Sequence, residues 1–415
     1  MANASGTSAS PINSANWSLL AARGAATGNA LVELSPAATQ SSALLPLVSI
    51  ASLQGIGSGN DALINIGYNA GAGTVMRLSD DGAFTVGGDI ANGQVPATGA
   101  GARMMWYPGK YAFRAGSVGS FGSTYWDENN IGSGSVAFGE NSRASGNNSF
   151  AAGLATTASG SESVAWGNNG TASAARAFAF NGTASGVGAI ALGSGAQATN
   201  DDALALGPSS IASGLASVVL GPSVASGSFG VAIGLQNQAY GNFAFAIGKN
   251  AWAHHQGSVV IGDGCAGFSS DAVRSTANNQ FVARGCGGIK LYTSQNMTSG
   301  VEVAAGGGSW SSISDKAKKE NFADVDPVAV LEQVVALPIQ TWNYKTQDPA
   351  IRHIGPTAQD FRAAFGLGEN DTTINTIDAD GAALAAIQGL HTLLKQQQET
   401  IELLRLEIER LKGAR

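Results

Sequence analysis

Charged side chains are scarce in this chain, 12% of 415 residues, while 44% are apolar. Disorder needs the opposite balance, so an unfolded chain is excluded. Cysteine occurs only as Cys265 and Cys286. Two are too few for a disulfide framework, although a single bridge between them stays open. Basic residues are the minority, and a net charge of -7 offers no general attraction to nucleic acid or anionic lipid. No apolar run reaches the ~20 residues that span a bilayer. Met1 to Ser18 is small and polar, without the basic-then-apolar pattern of an export signal. The expectation is assembly in a cytoplasm, with no membrane insertion. What is abundant is glycine, 57 residues. It follows no three-residue period, which excludes a collagen triple helix. Gly-rich, weakly charged, apolar sequence fits repetitive β structure with tight corners.

The repeat occupies residues 132–263. Its core is a short alternating run closed by glycine, as in Ser135-Val136-Ala137-Phe138-Gly139, Ser163-Val164-Ala165-Trp166-Gly167 and Ala189-Ile190-Ala191-Leu192-Gly193. The closing positions are 139, 153, 167, 181, 193, 207, 221, 234, 248 and 262, so the period is 14 with one gap of 12 and one of 13. A second turn follows about seven residues later, clearest in Ala144-Ser145-Gly146 and Ala158-Ser159-Gly160. Each unit therefore reads as strand, turn, short strand, turn, with glycine expected to supply positive φ at both corners. Fourteen residues are too few for a helix pair and suit a parallel β coil. Ten rungs at ~4.8 Å make a rod of roughly 45–50 Å.

The alternation predicts more than a coil. Ala137, Ala165 and Ala191 fall on one face, and Val136/Phe138, Val164/Trp166 and Ile190/Leu192 on the other. A narrow interior has room for the small set only. The large set then needs cover from outside, and copies of the same chain are the simplest cover. This repeat resembles the head of trimeric autotransporter adhesins, and the resemblance implies a trimeric left-handed parallel β-roll. Similar rolls occur in phage fibres.

Residues 1–131 are less periodic and read as a β-rich attachment or capping region. Asn16-Trp17-Ser18-Leu19-Leu20 resembles segments of phage tail-fibre proteins. Strands are expected in Ala62-Leu63-Ile64-Asn65-Ile66-Gly67 and Gly82-Ala83-Phe84-Thr85-Val86-Gly87, with a turn at Asp80-Asp81-Gly82. The aromatic cluster from Met104 to Arg114 is expected to cap the open end of the rod, with a ligand patch as the alternative.

Residues 264–313 read as a terminal β element, with strands at Asn279–Arg284 and Gly288–Tyr292, and a small-residue linker at Ala304–Ser309. Beyond it, Ser314 precedes Lys319 by five residues. A lysine made less basic by burial can take a serine's proton, which permits acyl transfer without histidine. By spacing alone, the plainer reading is a helix start capped by Ser314 or Asp315.

The surroundings favour the chemistry. Ser314-Asp315 with Lys319-Glu320-Asn321-Phe322, then Leu337-Pro338, Thr341-Trp342-Asn343-Tyr344, and Arg352-His353-Ile354-Gly355-Pro356 resemble the endosialidase-type intramolecular chaperone, with Lys316-Ala317-Lys318 departing from its pattern. The likeness runs from 314 to 415. It implies an α+β domain that assembles trimers and then removes itself by single-turnover serine autoproteolysis. Carried over, Ser314 is nucleophile, Lys319 general base, and Ser314/Asp315 the cleavage site; His353 is a candidate assistant, with a structural hydrogen bond the stronger reading. His254-His255 could place one imidazole on a trimer axis, but no metal and no cofactor is expected.

From 387 to 412 the apolar period becomes heptad. Ile387, Leu394, Ile401 and Ile408 take a positions, and Leu390, Gln397, Leu404 and Leu411 take d positions, so a coiled-coil helix is expected. The fold expected is therefore mainly β: a trimeric left-handed parallel β-roll rod followed by an α+β chaperone domain ending in that helix. The function expected is a homotrimeric phage tail fibre or spike, joined to a tail or baseplate protein by its N-terminus and to a host-surface receptor, a glycan, elsewhere. The alternative is a bacterial or prophage-encoded adhesin-like protein whose chaperone stays attached. A glycan-degrading tailspike is disfavoured, because no carboxylate pair stands out in the repeat.

Overall fold

The computed structural model describes six strands between residues 17 and 86, then residues 95–414 except 266 and 268. Asn16 and the expected turn at Asp80-Asp81-Gly82 lie outside the described residues. The chain divides into two units, Met1–Gly285 and Cys286–Arg415. That division falls within the segment 264–313. Cys265 and Cys286 are both disulfide-bonded.

The first unit opens with an antiparallel series, Trp17–Arg23, Ala30–Pro36, Pro46–Ser52, Ala62–Tyr68, Thr74–Ser79 and Phe84–Val86, each strand paired with the next. A hairpin follows, Gly101–Tyr107 with Ala112–Val118. Its second strand pairs in parallel with Val136–Glu140, the first strand of a β-solenoid. Thereafter longer strands such as Phe150–Leu154 and Val164–Asn168 alternate with two-residue strands such as Thr157–Ala158. The short strands stack into a ten-stranded sheet, and the longer ones, with the hairpin, into a thirteen-stranded sheet.

Register follows the repeat. Ala151 pairs with Ala165 across a step of 14. The step of 12 still sets Ala179 on Ala191, and the step of 13 sets Val219 on Ala232. The irregular gaps are absorbed in the corners, so the inner ladder is unbroken. That ladder is the core: Ala137, Ala144, Ala151, Ala158 and their successors are fully buried, with Val219 and Val260 the largest apolar members from the longer strands. Small side chains let two sheets close on one another within a single chain. The large alternate residues project outward, and Trp166 remains 55% exposed.

The corners correct one expectation. Gly139, closing the longer strand, does have positive φ, 100°. Gly146, at the second corner, does not; the left-handed residue there is Asn148, two places on, with φ 54°. Glycine is required at 146 for another reason: a Cβ would collide with the carbonyl of Gly160 on the next rung.

Arg114 closes the end of the ladder. It stands in register with Ala137, fully buried. Its guanidinium donates to the Ser135 carbonyl at 2.9 Å, the Ser135 hydroxyl at 2.7 Å and the Ala144 carbonyl at 2.9 Å. Burial lowers its pKa to about 10, so it stays charged at neutral pH. Beside it Met105, Tyr107, Ala112, Val118, Trp126 and Ile131 form a separate buried cluster, and the Trp126 indole donates to the Ser142 carbonyl at 2.8 Å.

The second unit has a small sheet, Ile289–Tyr292, Gly300–Val303 and Ser311–Ser312. Helix α1 spans Pro327–Ala336, with Asp326 accepting from Val328 N at 2.9 Å as its cap. A two-stranded sheet joins Gln340–Trp342 to His353–Gly355. Helix α2 spans Ala358–Phe365 and helix α3 Thr376–Gly413. The small residues Ala382, Ala386 and Gly389 of α3 are buried, and a Cβ at 389 would strike the Pro327 carbonyl, so α1 packs closely there.

Candidate functional site

Ser314 and Lys319 are brought together by a single turn of 3-10 helix, Lys316–Lys318. Asp315 caps that turn, its carboxylate accepting from Ala317 N at 2.9 Å. The turn folds the chain back far enough for Lys319 Nζ to donate to Ser314 Oγ at 2.7 Å. The two sequence readings therefore describe one arrangement: the capped turn is what sets the serine–lysine distance. Lys316 lies with its ammonium 5.9 Å from the Phe322 ring, directed elsewhere than the serine.

Both Ser314 and Lys319 are exposed in the single chain. A lysine must shed its proton to accept one from serine, and desolvation drives that change. The serine hydroxyl and the lysine amine stand within hydrogen-bonding distance. Among the described residues nothing encloses the pair.

His353 is placed differently. Its Nε2 is 2.8 Å from Gln347 Oε1, and its ring packs on Trp342 at 4.9 Å and Tyr344 at 5.7 Å. No hydrogen bond among the described residues joins it to Ser314 or Lys319. It braces the two-stranded sheet of Gln340–Trp342 and His353–Gly355, and Gln347 as its partner had no signal in the sequence. His254 and His255 are engaged by Gln238 Oε1 at 2.8 Å and Ser275 Oγ at 3.0 Å respectively.

Each unit also carries an exposed apolar surface. On the solenoid, the outward row continues rung to rung, with Phe113, Phe138 and Phe150 in successive ring contact at 5.7 and 6.1 Å. On α3 the apolar heptad residues lie off the Ala382, Ala386 and Gly389 face that packs on α1. Ile401 is 47% and Leu404 58% exposed, and Ile387, Leu394, Ile408 and Leu411 are exposed with them. No described helix is long and apolar enough to cross a membrane.

Comparison with known families matches these two parts separately. The model of the YadA head domain repeat matches residues 131–156, 184–210, 198–223, 225–251 and 239–264. The model of the chaperone of endosialidase matches residues 314–366, which contain Ser314, Lys319 and His353. No curated protein matches the chain.

Proposed function

We propose that this protein is the subunit of a homotrimeric phage tail fibre or spike that attaches to a host surface, and that its C-terminal unit drives assembly and then releases itself. The observation that carries the reading is the missing core of that unit. Among its described residues only Phe361, Ala382, Ala386 and Gly389 are buried. A unit of this length that folded alone would enclose far more. Its exposed apolar residues, from Phe322 and Val335 to the stripe on α3, instead suit cover by other copies. Three copies follow from the likeness to trimeric heads and to the assembling chaperone. In such a trimer the domain boundaries are those of the sequence: an attachment and capping region to 131, the roll to 263, a terminal β element to 313, and the chaperone beyond.

Assembly also supplies what the dyad lacks. Neighbouring copies would bury Lys319 and favour its neutral form. Neutral Nζ then takes the Ser314 proton, and Oγ attacks the Ser314 main-chain carbonyl carbon of a neighbouring copy, because attack on its own carbonyl would close a four-membered ring. The ester forms as the amide nitrogen leaves with a proton, and water hydrolyses the ester, cutting the chain beside Ser314, at Ser314–Asp315. The receptor is a host-surface glycan, and the N-terminal region joins the tail or baseplate.

Intact-mass measurement tests the cleavage. Wild type should yield a C-terminal piece beginning at Asp315, while Ser314→Ala and Lys319→Met should each leave one uncut chain. A wild-type chain that stays whole removes the protease step and leaves the assembly role. One observation favours that outcome, the exposure of Lys319 in the single chain, and it belongs to the reading of an adhesin-like protein, bacterial or prophage-encoded, whose chaperone is retained.

A further inference from the structure

The corner after each short strand of the solenoid changes character over three successive rungs. Earlier rungs carry no aromatic ring there, as in Ser145-Gly146-Asn147-Asn148 and Thr199-Asn200-Asp201-Asp202, with Val187 and Leu215 their only large apolar residues. The late rungs read Ser226-Gly227-Ser228-Phe229, Tyr240-Gly241-Asn242-Phe243 and His254-His255-Gln256-Gly257. Phe229 and Phe243 stack with centroids 5.3 Å apart and planes 2° from parallel. Tyr240 stacks on His254 at 4.7 Å and 7°, and Trp252 adjoins His254 at 5.4 Å and 15°. Two aligned ring stacks thus share one edge of the solenoid.

These rings are not core. Phe229 is 49% and Phe243 61% exposed. Nor does the backbone favour them: both have φ 57°, in the left-handed region. The same corner elsewhere holds Asn148, Asp202 or Gly188, which accept that conformation readily, and where Glu162, Arg176 or Ala216 occupies it no ring is carried. A bulky aromatic there is an outlier of the kind that marks binding surfaces.

We propose that this corner is the glycan-binding surface of the protein, taking a saccharide chain whose flat C–H faces lie on the two ring stacks. The proposal rests on the attachment reading above and gives it a location. Two observations select a saccharide over a second copy of the chain. The outward row that a copy would cover runs the length of the solenoid, from Val136 to Ile261, whereas the aromatic corner is confined to three rungs. The corner also mixes rings with uncharged hydrogen-bonding groups, the amides of Gln238, Asn242 and Gln256, and no Asp or Glu occurs from 226 to 257. Apolar faces with a few placed polar groups are what sugar rings bearing hydroxyls require. Burial, Arg274 and His255 lower the His254 pKa, which keeps its imidazole neutral at pH 7 for stacking.

The test uses the full chain on an array of purified bacterial capsular polysaccharides and lipopolysaccharide glycans. Wild type should bind at least one of them. The double variant Phe229→Asn/Phe243→Asn should weaken that binding about tenfold or more, with an unchanged or higher Tm, because asparagine suits the left-handed corner. A wild type that binds no saccharide on the array overturns both this proposal and the glycan receptor, while cleavage and assembly are judged separately by mass. Undiminished binding by the double variant overturns the location alone. Loss of the oligomer in that variant would show that another copy covers the rings, and would also overturn it.

Discussion

From 136 to 283 the chain buries a continuous ladder of small residues within itself, while from 286 to 414 four residues are buried. Both regions are periodic in sequence. The difference lies in what the period meets. In the solenoid each rung finds the next rung of the same chain at the spacing its backbone hydrogen bonds demand, so alanine on alanine closes a core without help. In α3 the heptad stripe stays exposed among the described residues, because the face that packs on α1 is that of Ala382, Ala386 and Gly389. A period thus specifies a surface, and whether that surface is core or interface depends on which partner the topology brings to it.

The comparison is broken most severely at the seam of α3. If the stripe is covered in the assembly, Ile401→Ala and Leu404→Ala should each cost about 2–5 kcal/mol. The oligomer should then dissociate in sedimentation at concentrations where wild type stays assembled. If the stripe faces water, each change stays within about 0.5 kcal/mol. The outward row of the solenoid gives a second test of similar form. Trp166, which meets Phe180 at 5.9 Å, should lose about 3–5 kcal/mol on change to alanine if a neighbouring copy buries it. Thermal unfolding would detect that loss, and an unmoved midpoint would mean the row is solvated.

The smallest effect is a pH dependence at the late rungs. His254 titrates below its ordinary 6.5 because burial, Arg274 and His255 disfavour its charge. As pH falls through 6.5 the unfolded chain takes up a proton that the folded chain still refuses, so stability declines until the folded value is passed. Thermal midpoints measured from pH 7.5 down to 5 should fall, and His254→Gln should flatten part of that slope. An identical slope in the variant would remove His254 from the account.

Much of the solenoid was legible because its period is set by backbone geometry. Alternation named the inner alanines and the outer aromatics before any coordinates did. The second corner was misread, since glycine signals both positive φ and close approach, and sequence cannot separate them. At Gly146 the neighbouring rung decides, not the local turn. Arg114 was hidden for a related reason: a lone arginine in an aromatic cluster reads as surface, and only its register with Ala137 shows it plugging the ladder's end. For Ser314 and Lys319, both the spacing and a capped helix start at Asp315 were visible, while the closure of the two into one hydrogen bond was not. The strain at Phe229 and Phe243 was equally invisible, because a left-handed φ leaves no mark on composition.

Sedimentation equilibrium of the Ser314→Ala chain, which cannot be shortened by the dyad, tests the central claim most directly. A single species of three times the 41.6 kDa chain mass is the expected result. A stable species at 41.6 kDa would contradict it, since the C-terminal unit would then hold together without the copies its exposed surfaces are argued to need.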